Sequence, residues 1–161
     1  MPRSRRPWQR GVAAVLLLGT AACAAPAPVA TVAAPISPGA ARIWIYRNFE
    51  PSVSLGLAPI TLNGAVLGYS QPDGSAFYRD VAPGSYTIAV QSYGQDTNQM
   101  QRLDLRPGQQ AYVKVAALGS WASGGGDENP GWSRDTFYVY VMPPQVGQAE
   151  LARHPLASGG G

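Results

Sequence analysis

The feature that most constrains this chain is a series of short runs, rich in β-branched and aromatic residues, punctuated by Gly, Pro and Asn-Gly turn signals. The runs are Arg42 to Arg47, Ile60 to Leu62, Ala65 to Leu67, Ala76 to Tyr78, Ser85 to Val90, Gln101 to Leu105, Ala111 to Val115 and Thr136 to Val141. In Ser85 to Val90, residues Tyr86, Ile88 and Val90 share one face and Ser85, Thr87 and Ala89 the other, the period of a half-buried strand. Asn63-Gly64, between two such runs, tolerates the positive φ of a type I′ hairpin. Turn signals at intervals of about 8–12 residues, with no helical period before Val146, predict an all-β fold: a single small antiparallel β-sandwich of about seven strands. It is expected over residues 40–143, a length that can bury one core without a disulfide. Residues 144–161 are expected to hold a short helix or coil around Gln145 to Arg153, with a disordered Gly-rich tail from Ala157 to Gly161.

The first 22 residues follow a different grammar. Arg3, Arg5, Arg6 and Arg10 precede an uncharged stretch, Gly11 to Ala22, that includes Val15-Leu16-Leu17-Leu18. A basic start, a short apolar run and small residues make a secretory signal. The apolar run is shorter than the roughly 20 residues needed to cross a bilayer. The single cysteine ends it, in Leu18-Gly19-Thr20-Ala21-Ala22-Cys23, which resembles the bacterial lipobox. That resemblance implies cleavage after Ala22 and lipid attachment at Cys23, although Thr20 stands where the motif usually has Leu. The alternative is ordinary signal cleavage at Ala22-Cys23-Ala24 or Ala25-Pro26-Ala27, which leaves no anchor. Arg5-Arg6 with Trp8 is also compatible with twin-arginine export, and either route leads out of the cytoplasm.

From residue 23 to 39 the chain is uncharged and carries Pro26, Pro28, Pro35 and Pro38, the composition of a semi-rigid extended tether. The whole chain has 12 Lys+Arg against 9 Asp+Glu, but four of the arginines lie before Gly11. The remainder is close to neutral and has no basic stripe, which argues against a nucleic-acid partner.

Ala41-Arg42-Ile43-Trp44-Ile45-Tyr46-Arg47, Asn63-Gly64, Pro83-Gly84-Ser85-Tyr86-Thr87-Ile88 and Gly108-Gln109-Gln110-Ala111-Tyr112-Val113-Lys114 occur in an order that resembles a family of bacterial lipoproteins carrying a domain of unknown function. The resemblance covers about residues 40 to 118 and implies a transthyretin-like or PEGA-like sandwich with no catalytic residues to carry over. It also implies an outer-membrane anchor with the domain facing the periplasm, in keeping with Ala24, and not Asp, after Cys23.

Catalytic constellations are sparse. His154 is the single histidine and lies in the C-terminal segment, so a histidine triad or multi-histidine metal site has no second member, and His154 is expected to be solvated. The carboxylates lie mostly in or beside turns, where they bond the local backbone. Gly119 to Trp132 contains Asp127, Glu128 and Asn129, oxygen ligands without the alternating spacing of a calcium loop, and its glycines lack a phosphate-loop pattern. No cofactor or metal is expected.

The aromatic residues carry the sharpest binding hypothesis. Trp44 and Tyr46 point opposite to Ile43 and Ile45, Tyr112 opposite to Val113, and Tyr138 and Tyr140 opposite to Phe137, Val139 and Val141. If these strands are neighbours, Trp44, Tyr46, Tyr112, Tyr138 and Tyr140 line one sheet face. Exposed, that face would stack on a glycan or an envelope protein; the competing and favoured reading makes it the sandwich core, with the aliphatic face covered by tether or tail. The expected function is a non-enzymatic membrane-anchored lipoprotein of the cell envelope, a structural or binding module. The alternative is a small envelope hydrolase or metal-dependent enzyme using loop carboxylates.

Overall fold

The computed structural model describes residues 33–92, 96–118 and 135–157. Residues 1–32, which hold the expected signal segment, Cys23 and most of the expected tether, lie outside the described residues, as do the Gly119 to Trp132 loop and residues 158–161.

Eight strands form in the places the turn signals mark: β1 (Ala41–Arg47), β2 (Ala58–Leu62), β3 (Ala65–Ser70), β4 (Ala76–Val81), β5 (Gly84–Val90), β6 (Met100–Leu105), β7 (Gln110–Leu118) and β8 (Thr136–Met142). They build two four-stranded sheets, ordered β4-β1-β7-β8 and β3-β2-β5-β6, packed face to face as a small all-β sandwich. The β2–β3 hairpin turns on Asn63 and Gly64 with φ of 50° and 81°, the pair of positive angles that a type I′ turn demands.

One pairing departs from the antiparallel expectation, because β1 and β7 run parallel, Trp44 opposite Tyr112. The Pro107-Gly108 turn supplies the reason. Gly108 N–H donates to the Ala40 carbonyl at 2.7 Å and Arg42 N–H to the Gln109 carbonyl at 2.9 Å. This turn therefore delivers β7 beside the start of β1, and both strands leave in the same direction.

The core lies between the sheets. Ile43 and Ile45 of β1, Phe77 of β4, Val113 and Val115 of β7, and Phe137 and Val139 of β8 meet Ile60, Ile88, Val90, Leu103 and Leu105 of the second sheet, all buried. Each such side chain removed from water contributes about 1.5–3 kcal/mol, which allows a domain this small to stand without cross-links. The aliphatic side of β1 is thus the core side, and the aromatic side faces outward from the sandwich.

A second layer covers that outward side. The helix α1 (Pro144–Leu151) lies over β7, and the chain beyond it runs to the edge strand β4. Ala76 N–H donates to the Pro155 carbonyl and Ala157 N–H to the Ala76 carbonyl, both at 2.8 Å, with Leu156 bridging Ala76 in parallel. Ala157 is therefore tied to the sheet and is not the start of a loose tail. The segment before β1 is tied down as well: residues 33–40 run along the same face, with Ala33 packed on the cluster of Trp44, Tyr46, Ala76 and Tyr112.

Candidate functional site

The pleat and the register assemble the aromatic face residue by residue. Tyr78, Trp44, Tyr112 and Met142 lie in one row across β4, β1, β7 and β8, and Ala76, Tyr46, Lys114 and Tyr140 in the next. Tyr138 stands one row further, opposite Ala116. The expected neighbours are neighbours, and their rings share one sheet face.

Neither reading of that face holds in full. Trp44, Tyr46 and Tyr112 are at most 7% exposed, so they offer no open stacking platform. Nor do they form the core between the sheets, which the aliphatic residues fill. They are sealed under α1 and the two terminal segments, an arrangement with the two faces exchanged relative to the favoured reading. Tyr140 at the β8 edge is 40% exposed, and Tyr138 is half-buried with its hydroxyl donating to Asp96 Oδ2 at 2.7 Å. That bond holds the Asp96 carboxyl below its ordinary range and the Tyr138 hydroxyl above its own.

Two clamps fasten the covering layer. At the N-terminal side Arg42, 3% exposed, makes a bidentate pair with Asp80, Nε to Oδ1 at 2.6 Å and Nη2 to Oδ2 at 2.9 Å. Its remaining donors hold the Ala34 carbonyl at 2.6 Å and the Pro35 carbonyl at 3.2 Å. The guanidinium carbon lies 3.9 Å from the centre of the Tyr78 ring, a cation–π contact that suits a planar cation. Ser37 N–H adds a bond to Asp80 Oδ2 at 3.2 Å, and Ala34 N–H one to the Tyr78 hydroxyl at 3.3 Å. The hydrogen bonds from Arg42 hold the Asp80 carboxyl below its ordinary range.

At the C-terminal side Glu150 of α1 accepts from Lys114 Nζ at 2.9 Å and from the Tyr46 hydroxyl at 3.1 Å, both on Oε2. Lys114 first, then Tyr46, keeps the Glu150 carboxyl below its ordinary range. Burial first, then the bond to Glu150, pushes the Tyr46 hydroxyl well above its ordinary value. His154 is not solvated as expected: its Nδ1 lies 2.7 Å from the Gly74 carbonyl and its ring packs on Tyr46 at 5.1 Å between centroids. A shallow cleft of about 280 Å³ opens here, lined by Asn48, Phe49, Asp73, Lys114, Glu150 and Arg153 among others.

Sequence reasoning missed a third polar group. Arg47 has no exposed surface; its Nη1 and Nη2 donate to the Gly56 and Ser54 carbonyls, each at 2.8 Å. Ser54 Oγ in turn bonds Asp135 Oδ2, and the guanidinium stacks 5.1 Å from the Phe137 centroid. Burial lowers the Arg47 pKa from its ordinary value, the nearby Asp135 and Glu50 opposing the shift. The signal was available in the alternation, which puts Arg47 on the same side as Ile43 and Ile45.

Among the described residues no group of three or more His, Cys, Asp or Glu is placed to hold a metal ion, and no helix is long and apolar enough to cross a membrane. Asp127, Glu128 and Asn129 lie outside the described residues, as does Cys23. Compared with known protein families, curated proteins and solved structures, the chain matches none.

Proposed function

We propose that this chain is a bacterial lipoprotein, anchored by lipid on Cys23 to the outer membrane and facing the periplasm, whose sandwich serves as a structural or binding module for an envelope protein or glycan. The observation that carries the reading is the run of features around the one cysteine: arginines, a short apolar stretch, Cys23, and then an uncharged proline-rich segment leading to β1. Each feature suits a step in making an anchor, from export to lipid attachment to spacing. The resemblance of the β1, Asn63-Gly64, β5 and β7 motifs to the lipoprotein domain of unknown function points the same way.

The chemistry of the outer face supports a module that holds and does not react. A general base needs a pKa near the working pH. Glu150 has Lys114 and Tyr46 on one oxygen and a pKa moved away from neutrality, while Tyr46 keeps its proton more firmly than a free tyrosine. Both groups serve as fasteners for α1.

Fractionation of cells expressing the full chain tests the reading. The wild-type protein is expected in the membrane pellet and a Cys23→Ser variant in the soluble fraction. Equal distribution of the two overturns it. Cross-linking the same pair of proteins in cells then asks whether anchoring selects the partner.

A further inference from the structure

The last strand of an open sheet carries a row of outward N–H and C=O groups that will pair with another chain unless something closes them. Among the described residues the two sheets end in β4, β8, β3 and β6, and the first three of these edges are closed or interrupted. On β4, Ala76 is bonded by Pro155 and Ala157, and Arg79 Nη1 donates to the Tyr78 carbonyl at 3.0 Å. On β8, the Val139 N–H donates to the Asn98 carbonyl at 2.9 Å and the Phe137 N–H to Ser92 Oγ at 2.8 Å. β3 is bulged, its register shifting against Ile60 and Thr61, and a bulge twists an edge away from a partner. β6 differs from all three. It pairs with β5 without a break from Met100 to Leu105, and among the described residues no loop backbone or side chain bonds the amides of Arg102 and Asp104.

The direction of the ladder bonds fixes which groups of β6 are open. Val90 N–H donates to the Gln99 carbonyl at 2.9 Å, so Gln99 and, by alternation, Gln101, Leu103 and Leu105 turn their backbone groups toward β5. Met100, Arg102 and Asp104 turn theirs outward. The side chains of Arg102 and Asp104 are 76% and 70% exposed and meet only loosely within the chain, Nε to Oδ1 at 3.7 Å. Charge of one sign along such an edge would repel a second copy. An arginine and an aspartate two residues apart do the reverse, because antiparallel pairing of β6 with itself about Leu103 sets Arg102 of each copy opposite Asp104 of the other. In that register each Arg102–Asp104 pair exchanges both of its outward N–H and C=O bonds, with the Cα atoms about 5.5 Å apart. A slide of two residues either way sets Arg102 against Arg102 or Asp104 against Asp104, and like charges directly opposite are unfavourable. A slip of one residue sets outward groups against groups already bonded to β5 and makes no ladder. Backbone and side chains therefore select the same register.

We propose that the domain forms a two-fold symmetric dimer by antiparallel pairing of β6 with β6 of a second copy of this chain, which joins the two β3-β2-β5-β6 sheets into one, and that Arg102 and Asp104 set its register. Such an interface uses the same patch on both copies and closes on itself, so association stops at two. The dimer needs only the folded domain and does not rest on the lipid anchor.

Sedimentation velocity of the full chain in density-matched detergent is the test. The wild-type protein is expected to pass from monomer to dimer as its concentration rises through the micromolar range, and to form nothing larger. Arg102→Glu alone and Asp104→Arg alone each place like charges across the axis, and each is expected to lower the dimer fraction several-fold while keeping the β-sheet circular dichroism of wild type. An equal mixture of the two variants puts opposite charges back in both pairs, and its dimer fraction is expected to return to near the wild-type value. A second measurement needs no substitution: hydrogen exchange at the Arg102 and Asp104 amides should slow as wild-type protein is concentrated, while the Tyr69 amide on the bulged edge β3 stays unchanged. A wild type that stays monomeric throughout would leave the edge to a strand from a different protein and overturns the proposal. Assemblies larger than two, a dimer that the charge reversals do not weaken, or a mixture that associates no better than its separate components overturns it as well.

Discussion

Arg47 closes β1 with a guanidinium wholly withdrawn from water, held by the Ser54 and Gly56 carbonyls and laid against the ring of Phe137. Its position was legible as a core-side position in the alternation of β1, yet its charge argued for exposure. The loop carbonyls that resolve the conflict come from residues 54 and 56, and no local pattern announces them. Replacing Arg47 with Met keeps the apolar stem but strands two buried acceptors, each costing about 1–3 kcal/mol. Urea unfolding of Arg47→Met is expected to show a loss of about 3 kcal/mol, whereas Arg102→Met, at an exposed site, stays within about 0.5 kcal/mol. Gly147 is another residue whose identity is fixed by contact. A Cβ there would meet the Tyr112 Cβ at 2.3 Å, so α1 can lie on β7 only with no side chain at that point. Gly147→Val is expected to lift the helix, to cost about 1–3 kcal/mol by overpacking, and to make the Arg153 bond accessible to trypsin in the native state. Protection equal to wild type would contradict this packing.

At the scale of elements, α1 is a weak helix that docking stabilises. It has eight residues, no side-chain cap at Pro143 and no acidic group in its first turn, and an isolated helix so short does not persist in water. Its hold comes from Glu150 on Lys114 and Tyr46, from Gly147 on Tyr112 and from the chain end on Ala76. The aromatic face of β1, β7 and β8 was legible from the alternation; its cover was not, because a two-turn helix with a glycine inside carries little periodic signal. The cover is expected to loosen in acid. Glu150 and Asp80 are both held below their ordinary carboxylate range, so each contributes stability that is present above about pH 4 and is lost as pH falls through the lowered folded-state value. Hydrogen exchange at the Ala76 and Ala157 amides is expected to report tighter docking at pH 7 than at pH 3, beyond the intrinsic pH effect on exchange. Glu150→Gln should shrink the difference between the two pH values, and a difference unchanged by that substitution would contradict the assignment.

For the whole molecule, the strands and their turns were legible because period-two patterning and Asn-Gly or Pro-Gly signals are local. The parallel β1–β7 pair was not, because it depends on the Gly108 turn meeting Ala40 across the sheet. Non-local contacts also bring both ends of the described chain to one face of the sandwich. The most direct measurement is the incorporation of radiolabelled palmitate into the full chain expressed in a bacterium, compared with Cys23→Ser. The expected result is label in the wild-type protein and none in the variant; wild-type protein that is exported and processed without label would contradict the lipoprotein assignment.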